Sequence, residues 1–306
     1  LTEGMTPCFR RHGQLQLLPQ PELVVRKEDV MALLNLGQQE SLAYGEDVDF
    51  ATAFGSGRQR VNVYRSRGRL SCAIRLLNDH IPSIDELRLP PVLKQLAIEP
   101  RGLVLVTGPT GSGKSTTLAS MIDYVGKNRN CHIITIEDPI EYIYQESNSL
   151  IHQREVGQDV ESFANALRSA LREDPDVILV GEMRDYETIS AAVTAAETGH
   201  LVFSTLHTTG AAKTVDRIID VFPPHAQTQI RSQLAGVLRG VITQQLLPMR
   251  ADANGMVPGR IAATEVMLGN DAILNLIRES KVHQINSVIQ SNAAQGMHLM
   301  DNCLAG

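Results

Sequence analysis

The stretch GPTGSGKST, residues 108–116, decides the fold of this chain because it contains a complete phosphate-binding loop. Loops of the pattern G-x-x-x-x-G-K-[ST] use glycines so that backbone N–H groups can close around phosphate oxygens. In such a loop Lys114 reaches the β- and γ-phosphates, and the Ser115 hydroxyl holds Mg²⁺. The sequence therefore predicts a nucleotide site at Gly108, Pro109, Thr110, Gly111, Ser112, Gly113, Lys114, Ser115 and Thr116.

The residues on both sides of this loop place it between a strand and a helix. Residues 103–106, Leu-Val-Leu-Val, form a short apolar run typical of a buried strand. Apolar side chains then recur at helical spacing over residues 118–125, which predicts a helix with its N-terminus under the phosphates. This context makes the motif far more specific than the loop pattern alone.

The composition excludes several other kinds of protein. The chain has 306 residues, a formal net charge of −6, 4% aromatic residues and no tryptophan, which disfavours direct binding of nucleic acid. No apolar run approaches the roughly 18 residues of a membrane-spanning helix, so we expect no transmembrane segment. The four cysteines are scattered without a C-x-x-C pair, which suits a reducing cytosol and disfavours a zinc ribbon.

Apolar periodicity divides the chain into two domains. Residues 1–78 contain alternating, strand-like segments and a short helix, which predicts a small α+β domain. The proline-punctuated residues 79–100 predict a linker and hinge. Residues 101–306 alternate strands with helices, which predicts an α/β domain with a parallel sheet. Its predicted strands are residues 103–107, 132–136, 177–181 and 201–206. Apolar residues from Ile230 to Ile242 predict one long helix that ends before Pro248.

Two acidic groups follow predicted core strands, and ligands bind beyond the carboxyl ends of parallel strands. Glu137 and Asp138 follow one strand, and Glu182 follows another. Each acid by itself could cap a strand or neutralise a cation, but two such groups near one phosphate loop favour chemistry. We expect Glu182 to polarise the attacking water, Glu137 to support the water or the metal, and Asp138 to join Ser115 at Mg²⁺. Gly181 stands where the usual Walker B pattern has aspartate.

Histidines and arginines supply two further candidate groups. His200 and His207 bracket the strand at residues 201–206, and the geometry disfavours zinc because they lie at opposite ends. We interpret His207 as a γ-phosphate sensor and His200 as a structural histidine. The first domain is rich in arginine, which fits either a solvated edge, a nucleic-acid patch, or arginine fingers offered to a neighbouring subunit.

Beyond the phosphate loop, long blocks of sequence resemble the type IV pilus retraction ATPases, the PilT-like branch of the secretion/traffic ATPases. These blocks are IEDPIEY at 136–142, QREVG at 153–157, ALRSALREDPDVILVGEMRD at 166–185 and TGHLVFSTLHTT at 198–209.

The resemblance implies a PAS-like first domain, a RecA-like ATPase domain and a homohexameric ring that hydrolyses ATP to ADP with Mg²⁺. It implies a cytoplasmic motor, peripheral at the inner face of the cytoplasmic membrane, that works with an inner-membrane pilus platform protein and powers twitching motility. The family's Walker B glutamate corresponds to Glu182. Its Asp-box acids, His-box histidines and arginine fingers correspond to Glu137, Asp138, Glu141, His200, His207, Arg60, Arg67 and Arg75.

One position departs from the retraction branch. Residues 272–277 read AILNLI, with Leu274 where the retraction motif has arginine. Retraction therefore stands beside an assembly or type II secretion ATPase of the same fold as alternatives. A DNA-translocating motor conflicts with the negative charge, and a non-catalytic nucleotide sensor conflicts with the presence of Glu137 and Glu182.

Overall fold

The computed structural model describes residues 1–11, 14–20, 22–54, 57–76, 80–145, 147–249 and 259–305. The chain divides into two compact units, residues 1–80 and 81–306.

The division differs from the predicted linker at residues 79–100, because residues 81–100 pack within the second unit. The Ser120 hydroxyl donates a hydrogen bond to the carbonyl of Pro82 at 2.6 Å. Leu93 and Leu96 are buried in the same apolar cluster as Leu118. The apolar side chains between the prolines are therefore buried in the core of the second unit, whereas those of a free linker would be exposed.

The first unit is an α+β unit built on an antiparallel sheet, as the sequence predicts. Its three-stranded sheet has the order β3-β4-β5, and β1 and β2 form a separate antiparallel pair. Its elements are β1 Cys8–Arg11, β2 Gln14–Leu17, α1 Lys27–Met31, α2 Leu36–Ala43, β3 Val48–Phe54, β4 Gly57–Ser66 and β5 Arg69–Leu76. Val30, Leu42, Val61 and Val63 lie in its core.

The second unit is an α/β unit whose strands and helices alternate. It begins with α3 Val92–Ala97, β6 Gly102–Thr107, α4 Lys114–Asn128, β7 His132–Glu137, β8 Leu150–Glu155, α5 Phe163–Ala170 and β9 Val177–Val180. It continues with α6 Tyr186–Glu197, β10 Leu201–Leu206, α7 Ala211–Asp220, α8 Gln227–Val237, β11 Leu238–Pro248 and β12 Arg260–Leu268. It ends with α9 Asp271–Arg278, α10 Ile285–Ser291 and α11 Met300–Ala305. Short 3-10 turns span Pro224–Ala226, Val282–Gln284 and Ala293–Gln295.

The seven strands of the second unit form one sheet in the order β12-β11-β6-β10-β9-β7-β8. All neighbours pair in parallel except β11 and β12. Side chains alternate across the interior strand β6, so Leu103 and Leu105 enter one apolar cluster while Val104 and Val106 enter the other. Burial on both faces explains why this strand is a continuous apolar run. The predicted fold class is present, with four predicted strands realised as β6, β7, β9 and β10.

The long helix predicted from Ile230 toward Pro248 is wrong in its second half. Helix α8 ends at Val237, and residues from Leu238 onward form β11, which pairs in parallel with β6. A short apolar run fits a buried helix and a buried strand equally well, so periodicity could not decide between them. Gly240 on β11 packs tightly, because a Cβ there would approach Leu96 Cδ1 to 2.8 Å.

Candidate functional site

The phosphate loop lies between β6 and α4, at the carboxyl edge of the parallel strands. Gly108, Gly111 and Gly113 have φ angles of 141°, 79° and 90°, which side chains with a Cβ rarely adopt. Gly113 is the N-cap of the 15-residue helix α4. The free N–H groups and positive dipole end of this helix therefore face the place where the motif predicts an anion.

Lys114 is a buried cation at the start of α4. Its side chain is 8% exposed, and its Nζ donates hydrogen bonds to the carbonyls of Gly108 at 2.9 Å and Pro109 at 3.1 Å. Burial lowers the pKa of Lys114, and the nearby carboxylates of Glu182 and Glu141 partly offset this by raising it. Glu182 and Glu141 thus lie within electrostatic reach of the loop lysine, as the sequence predicts for Glu182.

Ser112 provides a direct test of whether the loop suits a phosphate. Within the part of the chain that the structure describes, its Oγ is a buried side-chain oxygen without a hydrogen-bond partner. Buried hydroxyls almost always have a partner, because leaving one unpaired costs free energy. A phosphate oxygen in the loop is a suitable acceptor for this hydroxyl, so the residues present fit the predicted ligand.

The predicted Mg²⁺ ligands, Ser115 and Asp138, are both exposed. Ser115 lies in the first turn of α4, and Asp138 follows β7. Over the described residues, no group of three or more His, Cys, Asp or Glu side chains could hold a metal by itself. Mg²⁺ bound with a nucleotide usually keeps several waters and takes few protein ligands, so the Ser115 hydroxyl beside the phosphates suits it. The role of Asp138 stays a prediction.

Glu137 ends β7, and its half-buried side chain lies among polar partners. The Thr135 hydroxyl donates to its Oε1 at 2.6 Å, and Gln153 Nε2 donates to the same oxygen at 3.3 Å. Burial raises the pKa of Glu137, while the two hydrogen bonds hold it down in part. A carboxylate whose pKa is raised by burial at the carboxyl edge of the parallel strands is a candidate catalytic group.

Glu182 follows β9 and is joined by two side chains that can carry positive charge. Its Oε1 lies 2.8 Å from Arg184 Nε, and its Oε2 lies 3.4 Å from His207 Nε2. The side chain is 20% exposed, so water can reach it. The preceding Gly181 fits closely, because a Cβ there would approach the carbonyl of Ile136 to 3.2 Å. The strand end therefore presents a solvent-accessible carboxylate within electrostatic reach of Lys114.

The two histidines of β10 have different surroundings. His207 lies at the carboxyl end of the strand, as the sequence predicts, and the structure places it beside Glu182. His200 lies at the other end, where its Nδ1 is 2.9 Å from the carbonyl of Ala195. That contact closes the end of α6, which fits the interpretation of His200 as a structural histidine.

The three predicted arginine fingers do not form one group within the first unit. Arg60 on β4 and Arg75 on β5 are direct partners across the two strands. Arg67 lies in the turn that joins these strands, with a φ of 53°, about 20 Å along the strand from Arg60. Arg60 also forms an ion pair with Asp49 at 2.7 Å. The register thus brings Arg60 and Arg75 together and separates Arg67 from them.

Two side chains that sequence reasoning missed touch the loop and its helix. Gln244 on β11 donates to the carbonyl of Ser112 at 2.6 Å and accepts from the Thr117 hydroxyl at 2.9 Å. The hydroxyls of Tyr142 and Thr116 are 2.9 Å apart. Tyr142 lies in the quoted IEDPIEY block, so its position carried a signal. Gln244 lies in the segment that the sequence assigned to a helix, and nothing in that pattern points to the loop.

A cavity of about 430 Å³ adjoins the loop on the side of α4. This volume lies in the range of small-molecule sites, and the nucleoside part of a nucleotide is small enough for it. Its lining comes from four stretches of the second unit: Glu86, Leu87, Arg88, Leu89, Gly113, Thr116, Thr117, Gln244, Leu246, Met249, Arg260, Ile261 and Ala262.

None of the helices in the described segments is long and apolar enough to cross a membrane.

The sequence of this chain is similar to a protein-family model and to known proteins. A family model described as Type II/IV secretion system protein matches residues 71–301. The Neisseria gonorrhoeae "twitching motility protein" is 50% identical over 302 residues, which cover 98% of this chain and 79% of that protein. The type IV pilus retraction ATPase PilT of Pseudomonas aeruginosa is 46% identical over 309 residues, which cover 100% of this chain and 88% of that protein.

A solved structure shares the fold over the whole chain. The crystal structure of the pilus retraction motor PilT with bound ADP superposes with a TM-score of 0.86 at 44% identity, covering 100% of this chain and 91% of that one. The similarity confirms the predicted fold class, an α/β unit with a mostly parallel sheet preceded by a smaller unit with antiparallel strands.

Proposed function

The chain belongs to the Type II/IV secretion system protein family, and from this premise we propose that it is a homohexameric motor that hydrolyses Mg²⁺-ATP to retract type IV pili. One observation supports hydrolysis above the others: the partly exposed Glu182 carboxylate lies within electrostatic reach of Lys114 and contacts His207. This arrangement joins a phosphate-binding cation to a carboxylate that can orient water.

The residues divide the work of hydrolysis. Lys114, the loop amides and the Ser112 hydroxyl bind the phosphates, and the Ser115 hydroxyl would hold Mg²⁺. Bound Mg²⁺ neutralises charge that develops on the phosphoryl group. Glu182 orients the attacking water, and Glu137 supports that water from the neighbouring strand end.

The site is completed by a neighbouring subunit in this proposal. Arg60 and Arg75, adjacent across β4 and β5, offer guanidinium groups to the γ-phosphate of the next subunit. The motor acts at the inner face of the cytoplasmic membrane, against a pilus platform protein.

Substitution of Glu182 by Gln tests the catalytic assignment. The variant keeps the shape of the side chain but loses the negative charge, so ATP hydrolysis should fall about 100-fold or more while Mg²⁺-ADP binding stays near that of the wild type. Glu187→Gln is the control, because Glu187 is an exposed carboxylate on α6. A Glu182→Gln protein that hydrolyses ATP near the wild-type rate refutes the role of Glu182.

Mixing of inactive variants tests completion between subunits. Glu182→Gln subunits retain both arginines, and Arg75→Ala or Arg60→Ala subunits retain Lys114 and Glu182. If arginines act in trans, a mixture of the two kinds regains ATPase activity that neither has alone. A mixture that stays inactive, in assemblies that contain both kinds of subunit, contradicts completion in trans.

Leu274 makes the direction of force a separate question. It is 8% exposed and packs in the core of the second unit, where the retraction motif has arginine. Deletion of the gene separates the alternatives: loss of a retraction motor leaves excess pili that do not retract, whereas loss of an assembly motor leaves no pili.

A further inference from the structure

Gln244 has a buried side-chain amide, and both its nitrogen and its oxygen form hydrogen bonds with the phosphate-loop region. Its side chain is 1% exposed, although it lies on β11, far from the loop in sequence. Its Nε2 donates to the carbonyl of Ser112 inside the loop, and its Oε1 accepts from Thr117 in the first turn of α4. One side chain therefore joins the loop to the start of the helix.

The backbone at Gln244 also limits the shape of the loop. A Cβ at Gly108 would collide with the main-chain carbonyl of Gln244, and a Cβ at Gly113 would approach Gln244 Nε2 to 3.0 Å. These two glycines begin and end the loop proper. The loop is thus packed against Gln244 at both ends and is also hydrogen-bonded to it at Ser112.

The energetic consequence follows from burial. Without the Gln244 amide, the carbonyl of Ser112 and the hydroxyl of Thr117 would each lose a partner in a region with little water, at the cost of an unpaired buried polar group. The loop would relieve that cost by moving its backbone toward solvent. Its N–H groups would then leave the arrangement that a phosphate needs.

We propose that Gln244 is a positioning residue that holds the phosphate loop in its binding shape through Ser112 and Thr117. The proposal rests on the proposed function in one respect, namely that the loop binds a nucleotide. The proposal adds that a residue of β11, outside the Walker motifs, influences the affinity for phosphates by fixing the shape of the loop. The opposing interpretation is that Gln244 only fills the core.

Two substitutions and one matched control separate these interpretations. Gln244→Met keeps the length of the side chain and removes both hydrogen bonds. Gln244→Glu keeps an acceptor for Thr117 and, where its carboxyl is ionised, removes the donor to Ser112. This second variant guards against failure of the Met variant to fold. Gln245→Met is the control, because Gln245 is the next residue on the same strand and points to the opposite face.

The first measurement uses the protein without nucleotide. Hydrogen–deuterium exchange of the peptide that covers residues 108–117 should be about tenfold faster in both Gln244 variants. Exchange in β7 should be unchanged, and Gln245→Met should match the wild type throughout. Unchanged exchange of the loop in both Gln244 variants overturns the proposal whether or not nucleotide binds.

The second measurement is titration with Mg²⁺-ADP, each variant being held well below its own Tm. Affinity should fall about tenfold in both Gln244 variants and stay within about twofold of the wild type in Gln245→Met. Equal affinity of the wild type and the Gln244 variants overturns only this proposal. A wild-type protein that fails to bind ADP overturns the proposed function and this inference together.

Discussion

The carboxyl and amino edges of the parallel sheet use the same residue types for different purposes. Strand β10 carries His207 at its carboxyl end, beside Glu182, and His200 just before its amino end, bonded to a backbone carbonyl. Helix α4 carries buried Lys114 at its start and Lys127 at its end, where the Lys127 side chain is 64% exposed and pairs with Asp123. Position relative to the sheet, more than residue type, distinguishes candidate catalytic groups from structural ones.

The difference has a physical origin in the topology. Parallel strands end at one edge, where the following loops and helix N-termini present unpaired N–H groups. At the opposite edge helices end and their carbonyls need donors, a need that His200 meets at Ala195. Cations and acids at the first edge can act on an anion, and those at the second edge stabilise the fold.

The largest expected contrast is between the two lysines of α4. Lys114→Ala should weaken binding of Mg²⁺-ADP by about 100-fold or more, because a buried cation aimed at phosphate is removed. Lys127→Ala should leave binding within about twofold of the wild type, since an exposed pair contributes little. Isothermal titration measures both, and similar losses in the two variants would contradict the distinction between the edges.

A smaller contrast is expected for the two histidines of β10. His207→Gln should lower kcat for ATP hydrolysis about tenfold with little change in stability, because one contact to Glu182 or to phosphate is lost at an exposed side chain. His200→Gln should keep kcat within about twofold and destabilise the fold by about 1 kcal/mol, through the contact with Ala195. Steady-state kinetics and thermal unfolding together check the pair. The distinction between His207 as a site residue and His200 as a structural one is contradicted if His200→Gln lowers kcat as much as His207→Gln does.

The smallest effect concerns stability and pH at Glu137. Burial raises the folded-state pKa of Glu137 above its ordinary value of 4.5, so the ionised carboxylate opposes folding. That penalty is absent below pH 4.5 and complete above the folded-state pKa. Glu137→Gln keeps an oxygen that accepts from Thr135 and removes the charge, so its Tm should exceed that of the wild type at pH 8.

The difference in Tm between Glu137→Gln and the wild type should shrink as the pH falls toward 4.5. Glu46→Gln, at an exposed carboxylate of the first unit, is the control variant. A Glu137→Gln protein that is less stable than the wild type at pH 8 would show that the carboxylate is net stabilising, contrary to the burial argument.

The positions of the candidate site residues were easier to predict from the sequence than some of the surrounding strands. The loop, Glu137, Glu182 and His207 were predictable because each follows an apolar run whose strand character and carboxyl end can be located from local pattern. The edge strand β8 was missed because its half-exposed residues show no strong pattern. Strand β11 was assigned to a helix because its residues continue the apolar spacing of α8.

The sequence by itself determined which side chains lie at the ends of strands and which loop positions require glycine. Both depend on local sequence, because apolar runs and glycines affect the backbone only over a few residues. Only the tertiary structure decided that Gln244 contacts Ser112 and Thr117, that Arg60 lies beside Arg75, and that residues 81–100 pack on the second unit. These contacts depend on strand pairing and packing between distant segments, and local periodicity contains no information about which segments meet.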